Sequence, residues 1–299
     1  MTDNFPKISI VTASYNQGQF IEETILSVLN QNYPNLEYIV IDGGSTDNSL
    51  EIIKKYQQYF TYWVSEKDNG QANAINKGLK LCTGDIFNWL NSDDYLEPGA
   101  FQKIAAAFAD EQVQMVAGKV RNFSTAAEEI IPNQNLSAKG LMCWEHGVKF
   151  VQPGVWMRRA LIEQVGGIDE KFHYAFDWDL YIRYLYHFSN VKELDDLLVN
   201  FRLHENSKTH SLLERFAIDE RKIIEKISSL KSFSNLHDSC EYKIQKTKWT
   251  EFLSELSKTD KSFLKKVIMT ISKMSVFQRV SYTRQTAGAI HAFWLKRKI

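Results

Sequence analysis

From residue 7 to residue 94 the chain alternates between two hydrophobic periods. "KISIVTASYN", "LEYIVIDGG", "YFTYWVSEKD" and "DIFNWLNSDD" are short β-branched or aromatic runs of strand length. Between them "QFIEETILSVLNQ", "DNSLEIIKKY" and "GQANAINKGLKLC" place apolar residues at helical spacing, as Phe20, Ile21, Ile25, Val28 and Leu29 do. Strands and helices alternating with such short connections admit few solutions. The pattern predicts an α/β fold with a largely parallel central sheet and helices on both faces. "QMVAGKVRNF" adds a fifth strand, "MRRALIEQVGG" reads as a helix with a glycine stop, and "DWDLYIRYLYH" reads as another helix. From about Phe216 the pattern is helical to the end, so a boundary near 210 is expected, with an α/β domain over 1–210 and a helical extension over 211–299.

Open sheets of this kind bind ligands beyond the carboxyl ends of their strands. Asp42, Asp68 and the pair Asp93/Asp94 each stand at such an end. One acid there is a solvated loop residue or a helix cap; three in succession on one rim predict a site. An unpaired buried charge is costly, so Asp93 and Asp94 are expected either to reach solvent or to hold a cation. Asp177 and Asp179 open a helix, where carboxylates are favoured by the dipole, and capping is a sufficient role for either.

The formal net charge of zero conceals a division. Residues 1–220 carry 19 Lys+Arg against 30 Asp+Glu, and residues 221–299 carry 17 against 6. The basic extension is read first as docking on the acidic part and second as a peripheral membrane contact through "IHAFWLKRKI", where Phe293, Trp294 and Leu295 adjoin Lys296, Arg297 and Lys298. Nucleic acid is not an expected partner. Cys82, Cys143 and Cys240 are isolated, which fits neither a disulfide framework nor a cysteine zinc site. Without a signal pattern or a long apolar run, the expected place is the cytoplasm, peripheral to a membrane at most. No G-x-G-x-x-G follows the first strand, which removes a dinucleotide-dependent oxidoreductase.

"ISIVTASYNQGQFIEETILSVLNQNYPNLEYIVIDGGSTDNS", "GQANAINKG", "GDIFNWLNSDDYLEPGA", "GGIDE" and "FDWDL" together resemble the family 2 glycosyltransferases of the Rossmann-like GT-A fold. The resemblance covers roughly residues 7–210 and implies a nucleotide-diphospho-sugar donor, most often a UDP-sugar, with a divalent metal, Mn²⁺ or Mg²⁺. In such enzymes an Asp-x-Asp element ends the fourth strand; here Asn91-Ser92-Asp93 takes its place, followed by Asp94. Asn91 can meet a ribose hydroxyl but brings no charge, so the metal is expected on Asp93, Asp94 or both.

By position, the resemblance implies that Thr12, Ala13, Ser14 and Tyr15 line the base, that Asp42 bonds base or ribose, and that Asp68 lies nearby. Asn73 stands where relatives often carry an acid. Asp177 takes the place of the catalytic base of an inverting transfer, and Gln152 and Trp178 fall on the acceptor side. "FRLHENSKTH" resembles the segment that closes over the diphosphate, with His204 completing the metal shell and Arg202 or Lys208 neutralising phosphate. The implied activity is transfer of a sugar to a saccharide or lipid-linked acceptor in cell-surface polysaccharide synthesis. A catalytically silent nucleotide-sugar-binding module is the alternative, and metal-dependent donor hydrolysis separates the two.

Overall fold

The first seven elements of the computed structural model are β1 (Ile8–Ser14), α1 (Ile21–Leu29), β2 (Leu36–Asp42), α2 (Ser49–Tyr56), β3 (Tyr62–Ser65), α3 (Gln71–Leu81) and β4 (Ile86–Asn91), as the alternating periods predict. They are followed by β5 (Tyr95–Leu96), α4 (Ala100–Ala107), β6 (Met115–Phe123), β7 (Glu128–Ile131), α5 (Ala138–Cys143), β8 (Val155–Arg158), α6 (Arg159–Gln164), α7 (Phe176–His187) and β9 (Val191–Arg202). The helices α8 (Leu213–Ser229), α9 (His237–Lys258) and α10 (Phe263–Met274) come last. The structure describes residues 5–144, 147–204, 213–274, 276–277 and 289–292.

Among the described residues nine strands form one mixed sheet in the order β3-β2-β1-β4-β8-β6-β9-β5, with β7 paired to β6. Strands β1 to β4 are mutually parallel where they pair, and β8 then joins β4 and β6 in antiparallel fashion. The chain steps outward from β1 to β3 and returns past it to β4. Right-handed crossovers therefore put α1 and α2 on one face and α3 on the other, and the sheet switches direction between β1 and β4. The side chains obey this. Ile8, Ile10, Tyr38 and Val40 pack with Ile21, Ile25, Val28 and Ile53 in one core cluster. On the opposite face α3 approaches β1 so closely that a Cβ on Gly78 would lie 2.6 Å from a Val11 methyl.

Two segments differ from the sequence reading. Val155–Arg158 is strand and the helix starts only at Arg159, because pairing with both β4 and β6 overrides the helical propensity of "MRRAL". Val191–Arg202 is the long strand β9, concealed in the sequence by the charged stretch Lys192–Asp196 and by register shifts against β6 around Lys119.

The chain divides into two compact units, residues 1–220 and 221–299. The start of α8 belongs to the first unit: Asp219 Oδ2 accepts from the Tyr174 amide at 2.8 Å, and Phe216 packs edge-on to Tyr174. In the second unit Trp249, Leu253 and Leu256 of α9 form a cluster with Phe263, Met269 and Met274 of α10.

Candidate functional site

The carboxyl ends of β1 to β4 open on a cavity of about 1390 Å³ in the first unit. Of the residues implicated by sequence, Ala13, Ser14, Tyr15, Asp68, Asn91, Asp93, Gln152, Asp177 and Trp178 line it. Thr12, Asp42, Asn73, Asp94, Arg202 and His204 do not, and Lys208 and residues 293–298 lie outside the described residues.

At the end of β1, Ser14 and Tyr15 face the cavity, and Tyr15 is 61% exposed. Thr12 stays in the sheet core, its hydroxyl 3.1 Å from the Tyr38 phenol. Asp42 is fully buried and engaged by its own loop: it accepts from the amides of Gly44 (3.1 Å) and Ser45 (2.9 Å) and from the hydroxyls of Ser45 (2.5 Å) and Ser65 (2.6 Å). It shapes the loop that Gly43 and Gly44 present to the cavity. Asp68 caps the amide of Gly70 at 2.7 Å. A Cβ on Gly43 would fall 2.8 Å from its carboxylate, so glycine permits that approach.

Asp93 and Asp94 have opposite fates. Asp94 is 1% exposed and accepts from Asn91 Nδ2 (3.1 Å) and from the Arg202 amide (3.0 Å). Burial, reinforced by the charge of Asp93, pushes its pKa well above the usual carboxylate range. It ties the end of β4 to the end of β9. Asp93 lines the cavity instead, and its Oδ2 lies 2.9 Å from His204 Nε2. The His204 ring leans on Phe20 at 4.9 Å. Arg202 donates from Nε to the Asp93 carbonyl at 3.0 Å, pairs with Glu23, and sits over the rings of Phe20 (4.8 Å) and Phe123 (4.7 Å). Asn91 Oδ1 accepts from Gln71 at 2.6 Å.

Asn73 is turned away from the cavity to Glu170 of the "GGIDE" segment (2.8 Å), which Asn76 also grips at 2.8 Å. Hydrogen bonds from Asn76 and then Asn73 outweigh burial and hold the Glu170 carboxyl below its ordinary value. Across the cavity, Asp177 Oδ1 accepts from the Trp178 amide at 2.7 Å. Tyr181 lies behind it, its phenol pushed upward by burial and by the Asp177 charge. Gln152 donates to Asn88 Oδ1 (3.0 Å) and the Trp89 carbonyl (3.1 Å), and the buried Trp178 donates to the Leu141 carbonyl at 3.1 Å. Asp179 is no cap: it forms a buried ion pair with Arg183 at 2.6 Å, and Arg183 also donates to the carbonyls of Val165 and Gly167.

The sequence reading missed Gln17, Asn122, Trp144, Tyr174, Phe216 and Glu220, which also line the cavity. Trp144 has a detectable structural signal, a left-handed φ of 47° that bulky residues rarely adopt. Among the described residues Ser14 Oγ, Gln17 Oε1 and Asn122 Oδ1, on side chains of the cavity wall, are buried with no hydrogen-bond partner. Among the described residues no three His, Cys, Asp or Glu side chains form a self-sufficient metal cage. The Asp93–His204 pair nonetheless fits a hard or borderline divalent cation that takes its remaining ligands from phosphate oxygens.

Residues 9–166 match the family described as Glycosyl transferase family 2. An uncharacterized glycosyltransferase of Rickettsia typhi is 27% identical over 223 residues, 70% of this chain and 68% of its own length. The chondroitin synthase of Escherichia coli is 27% identical over 69% of this chain and 30% of that protein. Among solved structures, S. aureus TarS 1-349 superposes with a TM-score of 0.64 at 18% identity, over 94% of this chain and 82% of that one. The mannosyltransferase PcManGT from Pyrobaculum calidifontis, in complex with GDP-Man and Mn²⁺, gives 0.62 at 17% identity, over 98% and 87%. TarS 1-349 has also been solved with UDP-GlcNAc; there the TM-score is 0.59 at 19% identity, over 75% of this chain and 67% of that one.

Proposed function

Because the chain belongs to glycosyl transferase family 2, we propose that its cavity carries out an inverting, metal-dependent transfer from a UDP-sugar to a saccharide or lipid-linked acceptor in cell-surface polysaccharide synthesis. The observation that carries this reading is the placing of two carboxylates in one cavity: Asp93, with His204 at 2.9 Å, and Asp177. The first serves the donor and the second the acceptor.

On the donor side Tyr15 offers an exposed ring for base stacking, and Ser14 and Gln17 line the cavity beside it. Asp68 and Asn91 face the ribose, and Asp42 acts through the loop that it holds. Asp93 and His204 are the residues that would hold a Mn²⁺ or Mg²⁺ with the diphosphate, which would supply neutralisation of charge on the leaving nucleotide. Asp94 and Arg202 keep the ends of β4 and β9 together, so that Asp93 and His204 converge. Lys208 is proposed as a phosphate partner from the resemblance alone.

On the acceptor side Asp177 takes the proton of the attacking hydroxyl as that oxygen bonds to the anomeric carbon and the nucleotide departs from the opposite face. The bond from the Trp178 amide to Asp177 Oδ1 anchors this carboxylate at the start of α7. Trp178 and Gln152 set the floor, and Trp144, Tyr174 and Phe216 supply aromatic surface for a sugar ring. The experiment is a melting-temperature panel of nucleotide sugars with and without Mn²⁺, followed by transfer assays with the best ligand. A donor that binds the native state raises the midpoint by mass action. A panel with no metal-dependent shift for any nucleotide sugar counts against the reading.

A further inference from the structure

Helix α10 buries two polar side chains and exposes a row of aliphatic ones. Its most buried side chains are polar: Lys266, whose Nζ donates to the Ser257 carbonyl at 3.1 Å, and Thr270, whose hydroxyl donates to the Lys266 carbonyl at 2.8 Å. Three of its aliphatic ones are exposed: Leu264, Ile268 and Ile271 are 66%, 56% and 58% exposed. These three stand at i, i+4 and i+7 and so share one stripe of the helix. Val276 follows just beyond, 65% exposed. Phe263, Met269 and Met274 pack on the cluster centred on Trp249 and leave that stripe facing outward. Single exposed aliphatics are ordinary, whereas a continuous row of them marks an interaction surface.

Charge decides what the row meets. Helix α10 contains Lys265, Lys266 and Lys273 and no acid, and from Lys261 to Ile299 the chain carries nine Lys or Arg residues and no Asp or Glu. Lys261 and Lys265 are exposed at the N-terminal end of α10, flanking Leu264. A second copy of this surface would set cations against cations with no acid to pair. A surface that is apolar beneath and anionic at its boundary satisfies both the stripe and the lysines.

We propose that α10 lies in the plane of an anionic phospholipid surface, with Leu264, Ile268 and Ile271 entering the acyl boundary and Lys261 and Lys265 on the lipid phosphates. With 12 residues α10 is too short to span a bilayer, so this contact is peripheral. It is independent of the catalytic reading and uses residues other than 293–298.

The test is flotation of the full-length protein with phosphatidylcholine vesicles that contain or lack phosphatidylglycerol. The expected result is binding to the phosphatidylglycerol vesicles only, weakened by salt, since each lysine near an anionic surface contributes roughly fivefold. Leu264→Ser/Ile268→Ser/Ile271→Ser should lower partitioning at least tenfold, with the melting curve unchanged. As a second measurement, Ile268→Cys carries an environment-sensitive dye, selectively because Cys82, Cys143 and Cys240 are buried. Its emission should shift to the blue on adding the anionic vesicles. The proposal is overturned by failure of the wild type to float, by equal flotation of the triple variant, or by equal binding to vesicles lacking phosphatidylglycerol. A wild-type dimer that the triple variant converts to monomer, without flotation, makes the stripe an interface between copies and overturns it as well.

Discussion

His204 Nε2 lies 2.9 Å from Asp93 Oδ2, so the carboxylate that faces the cavity from the end of β4 is met by the first residues after β9. The two strands are drawn together by the neighbouring Asp94, which accepts from the Arg202 amide at 3.0 Å. This edge of the site, proposed to serve the donor, is thus assembled from segments 111 residues apart.

His204→Ala should weaken Mn²⁺-dependent donor binding by roughly tenfold, the loss of about 1.4 kcal/mol. Asp93→Asn should weaken it further because it removes charge as well as a ligand. In excess EDTA the wild type should fall towards the level of the variants. Isothermal titration with the nucleotide sugar checks all three; wild-type affinity unchanged by EDTA sinks the metal assignment.

Asp179 and Arg183 predict a stability effect rather than a binding effect. The pair is buried, and Arg183 also holds the carbonyls of Val165 and Gly167, fixing the loop before α7. Asp179→Ala leaves a buried guanidinium without its carboxylate and should cost about 3–5 kcal/mol. A melting curve tests this directly. Donor affinity of the fraction that remains folded should be nearly unchanged, since Asp179 does not line the cavity.

The sheet was legible because a parallel strand buried on both faces reads as a mostly apolar run, and β1, β2 and β4 are such runs, broken only by a few polar residues such as Thr12, Glu37 and Asn88. Strand β9 was not, because Lys192, Glu193, Asp195 and Asp196 lie on its exposed first half. At the site, motifs marked which strand ends carry acids. They could not say that Asp94 turns inward while Asp93 faces the cavity, since this depends on an amide that arrives from Arg202, far away in sequence. Asn73 shows the same limit: its position on α3 was clear, but its partner, Glu170, is set only by tertiary packing.

Glu37 should make the fold acid-sensitive. Burial alone would raise its pKa, but Lys7 Nζ (2.7 Å), Ser9 Oγ (2.5 Å) and the amide and hydroxyl of Thr83 (2.7 and 2.8 Å) overcome this and hold it at about 2. Between its ordinary value of 4.5 and about 2 the unfolded chain binds more protons at this group than the folded one. Its contribution is therefore fully present above pH 4.5 and lost as the pH falls to about 2. Glu37→Gln should lower the melting temperature at neutral pH and make its fall with acid shallower across that window. Parallel pH dependences in the two proteins refute the assignment.

Asp177 gives the most direct test of the chemistry. Its Oδ1 already accepts from the Trp178 amide, and its charge is felt by the Tyr181 phenol behind it. Asp177→Asn can keep the amide bond through its own Oδ1 and nearly preserves volume, so the start of α7 and the donor site should remain intact. What it loses is the ability to take a proton. Donor affinity and melting temperature should change little, whereas transfer at saturating donor should fall roughly 10²- to 10⁴-fold. Measuring all three on one preparation separates loss of the base from loss of the fold. Near-normal transfer by Asp177→Asn would place the base elsewhere on the cavity wall, and Glu220, the other carboxylate on the side of Tyr174 and Phe216, would be tested next.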